Sequence, residues 1–402
     1  MSDKKLWNFP WRFRESFLIA FGVLLVGFII ELFARVPVSL QWPNNLLIGL
    51  VILALVILLQ GFYKNHAWVR WLTTVPAAVS AVSLFALMVL FIGFLKPGQL
   101  SFLFNHNPIQ HSWIFAFSAF YLLLTLGSVT IRRLKPFNLK NAGFFLNHAG
   151  LWIIILGGGL GAGDMERYIM HTFEDKGFTH MVFDEREESY KVPFEIRLLD
   201  FSIEHYNLDL IMINRSTGEL TYKTDKNAGV KEGAVFDLKG WQISIDKYLS
   251  EARKLNGQYV QTDSAGATPA AYLVAKRKVN GKTVSGWVAS GSFNRPADYV
   301  NLNRNFVLTL SMPEAKKYAS EVVVRQANNT QADTSVITVN NPLKVQGWKI
   351  YQLSYDEQKG KWSKLSILEV IRDPWLPVVY TGIFMLLAGA VYLFWMGVKS
   401  KR

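Results

Sequence analysis

The sequence predicts a membrane α-helical protein of about six spans, with an exported all-β domain, a sandwich or open barrel, inserted before the last span. Three observations carry this reading. Six apolar stretches are long enough to cross about 30 Å of hydrocarbon. A region of about 210 residues between the fifth and the sixth turns polar and alternates with period two. The basic excess collects in alternate loops. Half of the 402 residues are hydrophobic, and 28 Phe, 13 Trp and 15 Tyr make the chain too apolar and aromatic for disorder.

The spans are read at residues 16–33, 46–63, 72–95, 113–131, 144–163 and 375–395. They divide the chain into a membrane part, 1–163, an outer domain, 164–374, and a final span with a short tail, 375–402. The basic start followed by an apolar run resembles a signal peptide. No small-residue cleavage site follows, however, and Glu31 closes the run, so the segment reads as a retained anchor with Glu31 near its outer end, within reach of the interface.

The formal charge of +13 is not spread evenly. Residues 164–374 hold 28 Lys and Arg against 27 Asp and Glu, so the excess belongs to the membrane part. Lys4, Lys5, Arg12 and Arg14 precede the first span. Lys64 and Arg70 lie in the second loop, Arg132, Arg133, Lys135 and Lys140 in the fourth, and Lys399, Lys401 and Arg402 in the tail. The alternate loops hold only Arg35 and Lys96. Loops retained in the cytoplasm keep their Lys and Arg, so both termini are expected there and the large domain outside, periplasmic in a two-membrane bacterium. The charge thus answers to membrane lipid and topology, and no nucleic-acid partner is expected.

Alternating runs such as PFEIRLLDFSIEHY, AVFDLKGWQISIDKYL, FVLTLSM, ASEVVVRQ and WKIYQLSY give the outer domain its strands. In AYLVAKRKVNGKTVSGWVASG, Asn280-Gly281 between two alternating arms predicts a hairpin with positive φ at both turn residues. No G-x-S-x-G elbow, H-E-x-x-H helix or phosphate-cradling glycine loop is present. The acidic run DEREESY from Asp184 reads as a solvated loop. With no cysteine, disulfides, zinc-thiolate sites and thiol relays are excluded, and any cofactor must use other ligands.

Ionisable groups inside spans are costly and mark function. Here no span has a central Asp, Glu, Lys or Arg, and no inverted repeat is visible, which disfavours proton-coupled transport. His148, in GFFLNHAGLWIIILGGGLGAG, lies near the inner end of the fifth span. A mostly neutral imidazole there either satisfies helix-start backbone groups and interfacial water or binds iron through one ring nitrogen. The glycines after it, with Gly157 to Gly161 and Gly159 to Gly163 at small-xxx-small spacing, predict close helix packing, in this chain or against a partner. His106 and His111 flank a turn-forming Asn107-Pro108 in an outer loop; they are either solvated histidines or metal or haem ligands, and the proline argues against ligand spacing along one helix. His66, His171, His180 and His205 show no grouping.

Three stretches together resemble the ResB-like family of cytochrome c biogenesis proteins of system II. They are N-H-x-G-L-x-x-x-x-x-G from Asn147 to Gly157, VNNPLKVQGWKIYQLSYD from Val339, and RDPWLPVVYTGIFMLLAG from Arg372. The resemblance implies a membrane complex that carries haem b outward and presents it to apocytochrome c, whose CxxCH thiols take it up covalently. It implies that His148 is an axial ligand of haem iron. The partner would be the cytochrome c assembly protein with the tryptophan-rich signature, because a WGxxWxWD-type run is absent here; the chain would then be a component of the synthase and not the catalyst alone. Five spans before the outer domain depart from the three usual in the family. The alternative is a non-catalytic, membrane-anchored receptor or scaffold that uses the β domain to bind a protein or envelope ligand.

Overall fold

The computed structural model describes residues 6–34, 38, 40–95, 108–134, 138–224, 229–326 and 332–399. The chain divides into two compact units, Met1–Glu166 with Asp373–Arg402, and Arg167–Arg372. The first unit is helical: α1 (Phe13–Ala34), α2 (Asn44–Phe62), α3 (Ala67–Leu72), α4 (Val75–Phe94), α5 (Trp113–Arg133), α6 (Ala142–Gly161) and α7 (Leu376–Lys399). All but α3 are long and apolar enough to cross a membrane. This is a multi-pass membrane architecture, in which each helix satisfies its own backbone groups away from water. Large apolar side chains such as Phe384, Val391 and Phe394 point outward from α7, as lipid-facing positions require.

The third apolar stretch begins later than its hydropathy predicts. The polypeptide makes one short helix, α3, breaks at Thr73 and Thr74, and restarts with Pro76 in the first turn of α4, where a missing N–H costs nothing. Within the bundle α5 is the most buried span, packed against α1, α2, α4 and α6. Its small and hydroxyl-bearing residues permit this. Ser118 donates to the Phe115 carbonyl at 2.7 Å, and Thr130 to that of Leu126 at 2.6 Å, so these polar side chains are satisfied within their own helix.

Glu31, read near the outer end of its span, lies close to the end of α1, is 1% exposed and accepts the Trp113 N–H at 2.7 Å. The physical reason is the start of α5. A carboxylate there meets unsatisfied N–H groups and the positive end of the helix dipole.

The second unit is antiparallel β structure. An eight-stranded sheet runs in the order β14 (Ala332–Thr338), β13 (Ala315–Gln326), β3 (Ser189–His205), β2 (Thr179–Phe183), β1 (Glu166–Phe173), β17 (Leu365–Arg372), β16 (Trp348–Tyr355), β15 (Leu343–Val345). It rolls toward a barrel. Val322 and Ile337 from one end share a core with Val345, Trp348 and Ile350 from the other. Across the same interior, the buried Ser320 hydroxyl bonds Gln352 at 2.5 Å and Ser366 at 2.7 Å, although their strands are not neighbours in the sheet. Two smaller sheets form a sandwich around a second core. One contains β6 (Val235–Leu238), β7 (Trp241–Leu255), β8 (Gln258–Gln261), β9 (Thr268–Arg277) and β10 (Thr283–Ala289); the other contains β4 (Leu210–Asn214), β5 (Leu220–Lys223), β11 (Val300–Asn301) and β12 (Phe306–Leu310).

The Asn280-Gly281 hairpin forms between β9 and β10, but with a different turn. Lys276 pairs with Thr283, the Gly281 N–H returns to the Arg277 carbonyl at 2.9 Å, and of the two turn residues only Gly281 has positive φ. The two-residue turns with both φ positive lie elsewhere, at Lys239-Gly240, Asn256-Gly257 and Gln346-Gly347, each closing a register of directly paired neighbours.

Candidate functional site

The site begins at the end of α5 and the start of α6. His148 lies one turn beyond Phe144, and its ring stacks on the Phe144 ring at 3.7 Å between centroids. Its Nδ1 is 3.0 Å from the Phe144 carbonyl oxygen. An imidazole that donates Nδ1–H to a backbone carbonyl presents a lone pair at Nε2, as in metal-bound histidines whose other ring N–H is held by a carbonyl or carboxylate. Among the described residues Nε2 takes no hydrogen bond. The guanidinium of Arg133, from the last turn of α5, lies 4.2 Å from the centre of the Phe144 ring. Phe144 therefore joins a fixed cation to the imidazole and sets the ring's orientation.

Behind this residue, α6 is held by α7. A Cβ on Gly150 would come within 2.6 Å of the Gly382 carbonyl oxygen and 2.7 Å of the Leu386 nitrogen, so the two backbones touch where glycine meets glycine. Gly143 and Gly157 face the same helix one heptad to either side. The predicted Gly157 to Gly161 pair is used inside the chain, against Val378 and Trp375. The Gly159 to Gly163 pair is not used as a pair: Gly159 is open, and Gly163 meets the backbone of Leu40. The remaining face of α6 meets α5 and α2 through Trp152, which donates to the Leu123 carbonyl at 3.1 Å, and through Leu160 beside Gly49.

At the far end of α6, Asp164 ties three elements. It accepts from the Trp42 N–H at 2.7 Å, from Asn45 Nδ2 at 2.7 Å and from Trp375 Nε1 at 2.6 Å. Sequence reading passed over this residue because it sits at a span edge, where an acid is cheap.

The structure separates the other histidine candidates from His148. His106 lies outside the described residues. His111 ends a short 3-10 turn, Ile109–His111, just before α5, with Nδ1 3.4 Å from the Val38 carbonyl. His148 lies instead beside Phe144, whose ring takes the Arg133 guanidinium from the opposite end of that 21-residue helix. Among the described residues no group of three or more His, Asp or Glu is placed to hold a metal ion. His148 fits one axial ligand to an iron porphyrin, and among the described residues no second histidine bonds to it or stacks on it.

The resemblance motifs have physical roles. Gly150 and Gly157 allow α6 to approach α7. The VQGW segment is the tight hairpin between β15 and β16: Gln346 and Gly347 take φ of +48° and +83°, and Trp348 is 5% exposed in the barrel core. In RDPW, Arg372 lies over the Trp348 ring, while the Asp373 carboxylate accepts the N–H groups of Trp375 and Leu376 at 3.0 and 3.1 Å, capping α7.

Fold and site together define a multi-pass helical membrane protein that carries a large antiparallel β domain between its fifth and sixth spans. The ResB-like family model matches residues 280–367, which run from the β9–β10 turn into β17 and include the VQGW hairpin, in agreement with the resemblance read from the sequence. The family points to a role in cytochrome c biogenesis. No curated protein matches the chain.

Proposed function

We propose that the chain is a haem-handling subunit of a membrane cytochrome c synthase complex of the system II type. It helps move haem b outward and presents it with apocytochrome c for covalent attachment at CxxCH. The observation that carries this is His148: an imidazole with Nδ1 engaged by a backbone carbonyl and Nε2 without a hydrogen bond, in an apolar span, near a fixed cation. Haem enters as cargo, and His148 supplies one axial ligand through Nε2. The second ligand comes from outside this neighbourhood, in keeping with a partner that bears the tryptophan-rich signature missing here. His111, at the start of α5 and away from Arg133 and Phe144 at its end, serves a separate place.

In this reading the protein sits in the inner membrane with both termini cytoplasmic and the β domain periplasmic, where apocytochrome c is met. The charge distribution supports that orientation. The competing receptor or scaffold reading needs neither His148 nor six spans. A deletion strain separates the two. Loss of covalently haem-bearing c-type cytochromes, restored by the intact gene, supports haem handling, whereas normal cytochrome c levels support the receptor.

A further inference from the structure

The helical unit contains a cavity of about 820 Å³, walled by Phe9, Trp11 and Trp71 and by the guanidinium-bearing Arg70, Arg132 and Arg133. Its walls come from the segment before α1, from α3 and from the last turn of α5, all within one compact unit. The aromatic side is fixed. Phe9 stacks on Trp11 at 4.3 Å, Trp11 meets Trp71 edge-on at 5.2 Å, and the Trp71 indole donates to the Ser16 hydroxyl at 2.9 Å. The basic side is uncompensated. Among the described residues no carboxylate lines the cavity and none of the three arginines is in an ion pair. Arg132 is aimed by a bond to Thr73 Oγ1 at 2.7 Å, and Arg133 by the Phe144 ring.

Three like charges that converge without a counter-charge repel one another, and an anion relieves that repulsion. The planar guanidinium fork suits carboxylate and phosphate oxygens, and indole walls suit an apolar body. The volume falls in the range of about 300–1,000 Å³ that encloses small ligands. We propose that this cavity binds the anionic end of an amphiphile, a molecule whose paired carboxylates or phosphate ester adjoin an apolar body. The arginines hold the anion, and Phe9, Trp11 and Trp71 hold the apolar part. Two sources share this chemistry. One is the carboxylate edge of a porphyrin, in which case the inference rests on the haem reading above. The other is the headgroup of an acidic phospholipid, which is independent of it.

The test uses the purified full chain in neutral detergent with two pairs of probes. One pair is iron-free protoporphyrin and its dimethyl ester, followed by porphyrin anisotropy; the other is phosphatidylglycerol and phosphatidylcholine, followed by native mass spectrometry. At least one acidic probe is expected to bind about tenfold or more tighter than its neutral counterpart. The Arg70→Gln/Arg132→Gln variant should lose that preference, and Arg70→Lys/Arg132→Lys should keep most of it. The acidic probe that is preferred names the source. Because iron-free porphyrin has no metal for His148, His148→Ala should retain this binding, so failure of the cavity and failure of the axial ligand are distinguishable. If the double variant does not fold, Arg70→Gln alone gives the readout, since the Arg70 side chain makes no hydrogen bond among the described residues. Equal binding of acidic and neutral probes in both pairs overturns the proposal, as does a folded glutamine variant that binds like the parent.

Discussion

At the scale of single residues, most polar side chains in the spans find a partner, such as Ser118, Thr125 and Thr130 on their own helix carbonyls, whereas among the described residues the buried Gln60 Nε2 and Ser128 Oγ do not. His148 was visible in the sequence because an imidazole interrupts an apolar run. Its tautomer-setting bond to Phe144 was not visible, since a helix start offers several carbonyls. Asp164 and Glu31 were legible only as charges near span ends. What makes them structural is the convergence of donors from elsewhere in the helical unit: Trp42, Asn45 and Trp375 on Asp164, and the first N–H of α5 on Glu31. Asp164→Asn would set an amide NH₂ against two N–H donors or lose the Trp42 contact. It is expected to destabilise the helical unit by about 1.5–3 kcal/mol, the range for hydrogen bonds to charged groups, seen as a lower thermal midpoint in detergent. An unchanged midpoint would remove Asp164 from this role.

At the scale of elements, two motifs that read as family signatures turn out to be geometric necessities. The helix pair α6 and α7 meets backbone to backbone at Gly150 and Gly382. Gly150→Val should separate the pair and cost about 1–3 kcal/mol or more from overpacking, whereas Gly159→Ala, where an added Cβ meets nothing within 4 Å, should be tolerated. Comparable thermal midpoints for both variants would contradict the packing account. In the β domain the alternating runs gave strands reliably, yet turn types were less legible. Asn280-Gly281 looks like a two-residue turn but closes a longer loop, while Lys239-Gly240 and Gln346-Gly347 form two-residue turns without the usual Asn or Asp. Strand pairing beyond the hairpin decides which register each arm adopts, and that information is non-local. Gly347→Ala, at φ +83°, should cost about 1–2 kcal/mol because an L side chain is strained there, measurable by chemical unfolding of the full chain.

At the scale of the whole molecule, span count and β character were readable from hydropathy and period two, because both depend on composition within short windows. The roll of the eight-stranded sheet and the arginine cavity were not, since each joins segments far apart in sequence; the arginines had registered only as markers of sidedness. That sidedness is itself testable. Reporter fusions should place both termini in the cytoplasm and the β domain outside, and the reverse would remove His148 from the inner leaflet. The β domain also has a predicted response to acid. Burial opposes ionisation of Asp298, but hydrogen bonds from Lys254 at 2.7 Å and Tyr259 at 2.6 Å outweigh it and hold the carboxyl below its usual range. A depressed folded-state value contributes stability above the unfolded value of about 4 and loses it as pH falls through the folded one. Asp298→Asn should therefore be less stable than the parent near neutrality, with the gap closing below about pH 4; a gap independent of pH would contradict the assignment.

The central claim, that His148 is an axial ligand to haem in transit, is tested most directly by the visible spectrum of the chain co-purified with the membrane partner proposed above. The parent complex should carry haem with the absorption of a histidine-ligated iron. His148→Ala should lose that haem together with cytochrome c maturation, and added imidazole should restore both. Undiminished haem and maturation in His148→Ala would contradict the account.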